Sequence, residues 1–378
     1  MAKTKPSNRD RKAKKHGKNG ASNGTAKKPK ASPESLLIQA ATLLQTGEPD
    51  KALPEARRAL NLLQPTDEPT AASLPALNLL GEIYVELGEP GLAKDVFTAA
   101  VSIDEEGLAD GAEKFLWLAQ LCEEGGAESV RWFEQGVSVL KREVAELESK
   151  SKNAEVTEAL EEKKVKIANA LCGIAEVYMT DLSWETDAEA RCEAAVTEAL
   201  LFAPESAEPL QTLASVRISQ SRVEDAKAAL TRSMGLWRVL DVDDPKVPDF
   251  STRISLARLL MEAEMEEEAL EVVERLVGEN DESVEAWYLG GWCFYLFGER
   301  HKARGATGVT TPLFRASRDW LENSLKLYRA MEYEDERLKE HAEELVESLN
   351  KLLGPSTGEE EEDEWDDTGD EDEDMEDT

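Results

Sequence analysis

Histidine is nearly absent from this chain of 378 residues, with only His16, His301 and His341 present. None has a Cys, Asp or His at metal-ligand spacing, so each is expected to be solvated or structural, and neither metal nor cofactor is expected. Cysteine is scarce too. Cys122, Cys172, Cys192 and Cys293 are scattered without a Cys-x-x-Cys pair, which suits buried apolar use in a reducing compartment. There is no signal peptide and no run of about 18 apolar residues, so neither secretion nor membrane insertion is expected. Positive charge is outnumbered. The 44 Lys and Arg face 79 Asp and Glu, a net charge of −35, which argues against a nucleic-acid surface and for a basic partner.

Catalysis needs a convergent set of nucleophilic or titratable groups, and none is legible here. Gly305–Thr311, GATGVTT, has the look of a phosphate loop but lacks the Lys-Ser/Thr pair and a preceding strand, so it reads as a flexible insertion. The acidic run DEDEDMEDT has carboxylates in an EF-hand-like spacing without flanking helices or the closing Glu register. The sequon Asn23-Gly24-Thr25 means nothing in a cytosolic or nuclear chain. The chain is expected not to be an enzyme.

The charge is unevenly spread. Residues 1–30 hold eleven Lys or Arg against Asp10, and residues 359–378 hold fifteen Asp or Glu with no base, leaving −30 on the residues between. Residues 1–33 are poor in large apolar side chains and are expected to be a disordered basic arm. Their clusters RDRKAKKHGK and KKPK fit either an import-receptor signal, with the chain in cytoplasm and nucleus, or a solvating arm. Residues 355–378 are expected to be a disordered acidic tail.

Between the two tails the sequence repeats. In Leu74–Glu106, Leu77, Leu80, Gly81 and Tyr84 lie on one helical face, Gly88 and Pro90 mark a turn, and Ala93, Phe97 and Ala100 lie on the face of a second helix. This resembles the tetratricopeptide pattern, with Leu in place of its Trp and no closing Pro. Such a hairpin cannot bury its own apolar face, so copies must stack beside it. Seven hairpins are legible from Glu34 onwards. The third runs through Phe115, Leu118, Ala119 and Cys122, and its second helix continues into the charged segment 141–166, which reads as two protruding helices with a break near 151–153 or, in its middle, as a solvated spacer. The seventh opens at Trp287 and is interrupted by the insertion at 299–314. A last helix with Leu338, Leu345, Val346, Leu349 and Leu352 on one side would cap the stack. The expected fold is all-α, a right-handed tetratricopeptide solenoid over residues 34–354 with a C-terminal cap.

In such solenoids the first helix of each hairpin lines a groove, and positions off its packing stripe face a ligand. Those positions are Glu82 and Glu86, Glu123 and Glu124, Glu176, Glu208, Glu262 and Glu285, joined by the aromatics Tyr288, Trp292 and Tyr295. Each glutamate taken singly is an ordinary solvated residue, and Trp292 and Tyr295 equally fit packing against the insertion. Recurrence at groove positions is what points to a binding surface, because low-dielectric walls focus the field of like charges. Glu82, Glu86, Glu123 and Glu124, from adjacent helices, are expected to form one acidic patch.

Basic leader, seven degenerate hairpins, the charged extension after the third, the insertion in the seventh and the Glu/Asp/Trp tail together resemble the fungal dedicated assembly chaperones of large-subunit ribosomal protein L4. That resemblance implies capture of newly made L4 through its long basic internal loop, passage into the nucleus and release on the pre-ribosome. A monomer without direct contact to nucleic acid or membrane is expected. Acidic charge on this scaffold also fits a histone chaperone or a passive scaffold subunit. The balanced charge of 141–166 favours the ribosomal reading.

Overall fold

A computed structural model describes residues 32–66, 70–122, 125–150 and 153–354. Among them are fifteen α-helices, a short 3-10 turn and no strand. The chain divides into two compact units, Met1–Glu89 and Pro90–Thr378.

The first unit contains α1 (Pro33–Gln45), α2 (Pro49–Leu63) and α3 (Leu74–Glu86). Ser32 caps α1 by accepting from the Ser35 amide, with Pro33 at the first helical position. Gly47, at φ 72°, makes the reversal into α2. Small side chains then let the helices close up, burying Leu36 and Ala40 on α1 and Ala52, Ala56 and Ala59 on α2. Pro54 sits at the sixth residue of α2, past the first turn, and the helix continues through it at the cost of one backbone bond. On α3, Arg57 of the preceding helix donates to the Tyr84 hydroxyl at 2.7 Å.

The second unit begins with α4 (Pro90–Ile103) and is latched at its end. Asp104 accepts from the amides of Leu108, Ala109 and Asp110 and from Lys114 Nζ at 2.8 Å, and the lysine side chain is fully buried. Burial works to raise the Asp104 carboxyl, but the Lys114 ammonium and the amides outweigh it, so its pKa lies below the usual 3.8. Asp104→Ala is expected to cost about 3 kcal/mol, because it strands a buried ammonium. The wild-type contribution should be present above pH 3.8 and vanish as pH falls through the lower folded value. Urea titrations at neutral and acidic pH check both, and equal midpoints for variant and wild type at neutral pH would refute the latch.

Beyond it, hairpins α5 (Glu113–Gln120)/α6 (Gly126–Glu148), α7 (Ala154–Met179)/α8 (Ala188–Phe202), α9 (Ala207–Ser219)/α10 (Val223–Gly235), α11 (Phe250–Glu262)/α12 (Glu266–Glu279) and α13 (Val284–Ala303)/α14 (Thr307–Ala330) follow in order. The first helices pack side by side, α7 on α9, α9 on α11 and α11 on α13. Glycine allows the closest approaches. A Cβ on Gly173 would stand 2.7 Å from the Phe133 ring, and one on Gly290 2.2 Å from Trp320. Cys122, expected on the third hairpin's first helix, falls beyond its end, since α5 stops at Gln120.

The charged segment does form two helices. α6 and α7 run alongside each other, tied by Lys163 to Glu143 at 2.7 Å, and Asn153 caps α7 by accepting from the Val156 amide. The expected flexible insertion at 299–314 is a correction. α13 simply runs on to Ala303 and α14 starts at Thr307, leaving a three-residue turn with Gly305 at φ 77°. The reason is Phe314, buried against Tyr295 and directly over Gly298, where a Cβ would lie 2.5 Å from its ring. α15 (Glu336–Leu353) packs on α13 and α14 and buries Leu338, Ala342, Leu345 and Leu349. Ala342 takes the place expected for Leu352, which is 51% exposed.

Candidate binding groove

Stacked first helices leave a furrow between the residues that point away from their neighbours. On α7 the packing stripe is Leu171, Ile174 and Ala175, which turns Glu176 outward. Glu208 on α9 and Glu262 on α11 occupy the corresponding side, and all three line one open cavity of about 360 Å³ with Met179, Thr212 and Arg258. A second cavity of about 390 Å³ shares Glu176 and Glu208 and continues the furrow toward Gln120 of α5 and Asn169 of α7. Three of the glutamates expected from the sequence are thus brought together.

Their electrostatics are uncompensated. Glu176 is open to solvent at its surface but stands between packed helices that thin its hydration, and this raises its pKa above 4.5. Burial likewise raises Glu208, with the negative charges of Glu176 and Asp249 adding to it. The cations among the residues that line the two cavities are committed elsewhere. Arg258 pairs with Glu285, and Lys166 holds Glu113 at 2.7 Å and Glu162 at 3.0 Å. No ion pair to Glu176, Glu208 or Glu262 forms among the described residues. Such a furrow offers carboxylates that a cationic chain can pair with.

The remaining expected positions lie elsewhere. Glu285, in the first turn of α13, is spent on Arg258. Glu82 is half-buried and Glu86 exposed on α3 of the first unit, while Glu123 and Glu124 fall outside the described residues. The aromatics serve packing. Tyr288 is buried and shares a 2.6 Å hydrogen bond with His341 Nδ1, and Trp292 meets the same histidine edge-on, so both fasten α15 to α13. Burial pushes the Tyr288 phenol up to about 12. Tyr295 leans on Phe314 of the former insertion. Sequence reasoning missed Asp249, which caps α11 through the Thr252 amide and adds charge beside Glu208. Its only signal was the Asp-x-x-Thr start of a helix after Pro248.

Raised carboxyls make binding proton-linked. A cation seated on Glu176 and Glu208 favours their charged forms, so binding should release protons and weaken as pH falls through their raised values. The same shifts oppose stability as pH rises from 4.5 through that window, since the folded state there holds more protons. Calorimetric titration of a polyarginine peptide in two buffers of different ionisation enthalpy should show the release, and buffer-independent heats would contradict it.

The tetratricopeptide repeat family matches residues 74–106. A protein of Emericella nidulans described as a "probable assembly chaperone of rpl4" is 50% identical over 340 residues, covering 85% of this chain and 82% of the relative. A Schizosaccharomyces pombe protein of the same description is 37% identical over 303 residues, covering 79% and 87%. The solved structure of residues 1–338 of an assembly chaperone of RpL4 (Acl4) is 49% identical and superposes with a TM-score of 0.67, over 73% of this chain and the whole of that one. Identity at this level, spread over most of both lengths, means that the chain belongs to the family of assembly chaperones of rpl4.

Proposed function

We propose that the chain is an assembly chaperone of ribosomal protein L4 and holds a basic, extended segment of that client in the groove of α7, α9 and α11. The observation that carries the reading is the row of Glu176, Glu208 and Glu262, which line one cavity and form no ion pair among the described residues. Exposed ion pairs are worth only about 0.2–1 kcal/mol each, and pairs desolvated beneath a bound chain are worth several times more. Arginine suits the site because its fork grips a carboxylate with two hydrogen bonds. The activity is binding, not catalysis, and family membership favours this client over the histones that charge alone also fits. Among the described residues no helix is long and apolar enough to cross a membrane.

The direct test is co-expression with L4. The client should stay soluble in a one-to-one complex, and L4 lacking its long basic internal loop should not bind. Equal capture of the loop-deleted client would place the contact elsewhere. The basic residues before position 31 support a further role as an import-receptor signal that carries a monomeric complex between cytoplasm and nucleus. The fifteen carboxylates of 359–378 support long-range attraction of the client, screened beyond about 10 Å at 0.1 M salt. Deleting them should slow association at low salt and leave dissociation unchanged in stopped-flow traces. A many-fold faster off-rate would make the tail part of the docked interface.

A further inference from the structure

The groove does not end in solvent at Glu208. There it opens into a recess of about 500 Å³. Because α7 begins at Ala154, about three and a half turns before its first core residue Ile167, it overhangs the starts of α9 and α11, and its Glu161 and Val165 form one wall. The α8–α9 connection supplies the floor, and the proline-punctuated loop between α10 and α11 supplies the other wall with Val247 and Pro248. Leu236 lies between them.

Two features of the recess bear on its occupant. It presents apolar surface in a strongly acidic chain: Val165 is 39% exposed although it sits in the charged run KKVK, and Leu236 and Val247 are only half-buried. Its polar rim is carboxylate: among the described residues that line it, Glu161, Glu205, Glu208 and Asp249 are set against one cation, Lys246. Glu208 and Thr252 line both recess and groove, so one extended chain reaches both. An anionic or purely apolar partner would meet uncompensated like charge or strand the carboxylates; a cationic chain with an apolar side chain satisfies both surfaces.

We infer that the recess beside Glu208, walled by Val165, Leu236 and Val247, seats one bulky apolar side chain of the same basic segment that the groove holds. This rests on the groove reading and deepens it. Charge draws in any basic chain, whereas the recess selects those with an apolar residue next to the arginine or lysine at Glu208. Specificity for one client over the many basic segments of a cell then comes from burial, which salt does not screen.

The test uses the full chain and two labelled 15-residue peptides of Arg, Lys and Gly, one with a central Leu and one with Ser in its place. At physiological salt the wild type should bind the Leu peptide at least ~5-fold more tightly, the scale of partial burial of one aliphatic side chain. Val165→Ser with Val247→Ser should erase that preference and leave the Ser peptide's affinity unchanged, with the wild-type circular-dichroism spectrum at the assay temperature. Glu176→Gln with Glu208→Gln should weaken both peptides alike. Equal affinity of the wild type for the two peptides, or a Leu preference that survives the valine changes, overturns the inference while the glutamate result still upholds the groove. Self-association that the valine changes abolish would make the occupant a second copy and also overturn it. If neither peptide binds, groove and recess fall together.

Discussion

Replacing Glu176, Glu208 and Glu262 together by lysine is expected to weaken capture of the basic L4 loop at least ~100-fold at physiological salt. The three residues come from successive first helices and line one cavity, so a bound chain meets them in turn. Losing three partly desolvated pairs and adding three repulsive charges removes well over the ~2.8 kcal/mol that a hundredfold loss requires. Folding should survive, because none of the three makes an ion pair among the described residues and a lysine's longer stem can carry its ammonium out to solvent. Single reversals should do less, and neighbouring reversals should not sum to the triple effect because the sites are coupled. Fluorescence anisotropy of a labelled loop peptide, with a thermal melt as control, reads the effect. Capture undiminished by the triple variant would exclude this groove. Glu82→Lys with Glu86→Lys then tests the α3 half of the patch expected from Glu82, Glu86, Glu123 and Glu124.

Phe97→Ala is expected to destabilise the second unit by about 3–5 kcal/mol. The ring is fully buried on α4 and lies parallel to Trp117 of α5, with centroids 6.2 Å apart and planes 10° from each other. Truncation leaves a cavity at the first helix of the unit and removes the surface on which α5 rests. A falling urea midpoint with an unchanged slope is the expected result. An unmoved midpoint would mean that the α4–α5 contact does not carry the packing described.

Much of this architecture is legible because helical repeats write their packing locally. Ala93, Phe97 and Ala100 recur at spacings that only a helix brings to one face, and all three are fully buried. The break before α7 was legible for a similar reason, since Asn153 is a capping residue placed between two charged helix-forming runs. The insertion at 299–314 was not legible. Its glycines and threonines have poor helix propensity, and what overrides them is Phe314 settling over Gly298, a contact between positions sixteen residues apart. Lys114 reads as a surface lysine until the Asp104 loop folds around it.

For the site, the sign of the charge, the helical faces and the set of glutamates off the packing stripes were all legible in the order of residues. Those follow from composition and from a period of 3.6 residues, which need no knowledge of neighbours. Which carboxylates line one cavity and which are already spent became visible once the helices were stacked. Glu285 looks like Glu262 in the sequence, but Arg258 stands one helix away and neutralises it. Tyr288 and Trp292 look like groove aromatics, but α15 returns from about fifty residues downstream to cover them with His341. Pairing and burial depend on side chains that neighbouring helices bring into reach, and that reach is set by how the hairpins stack.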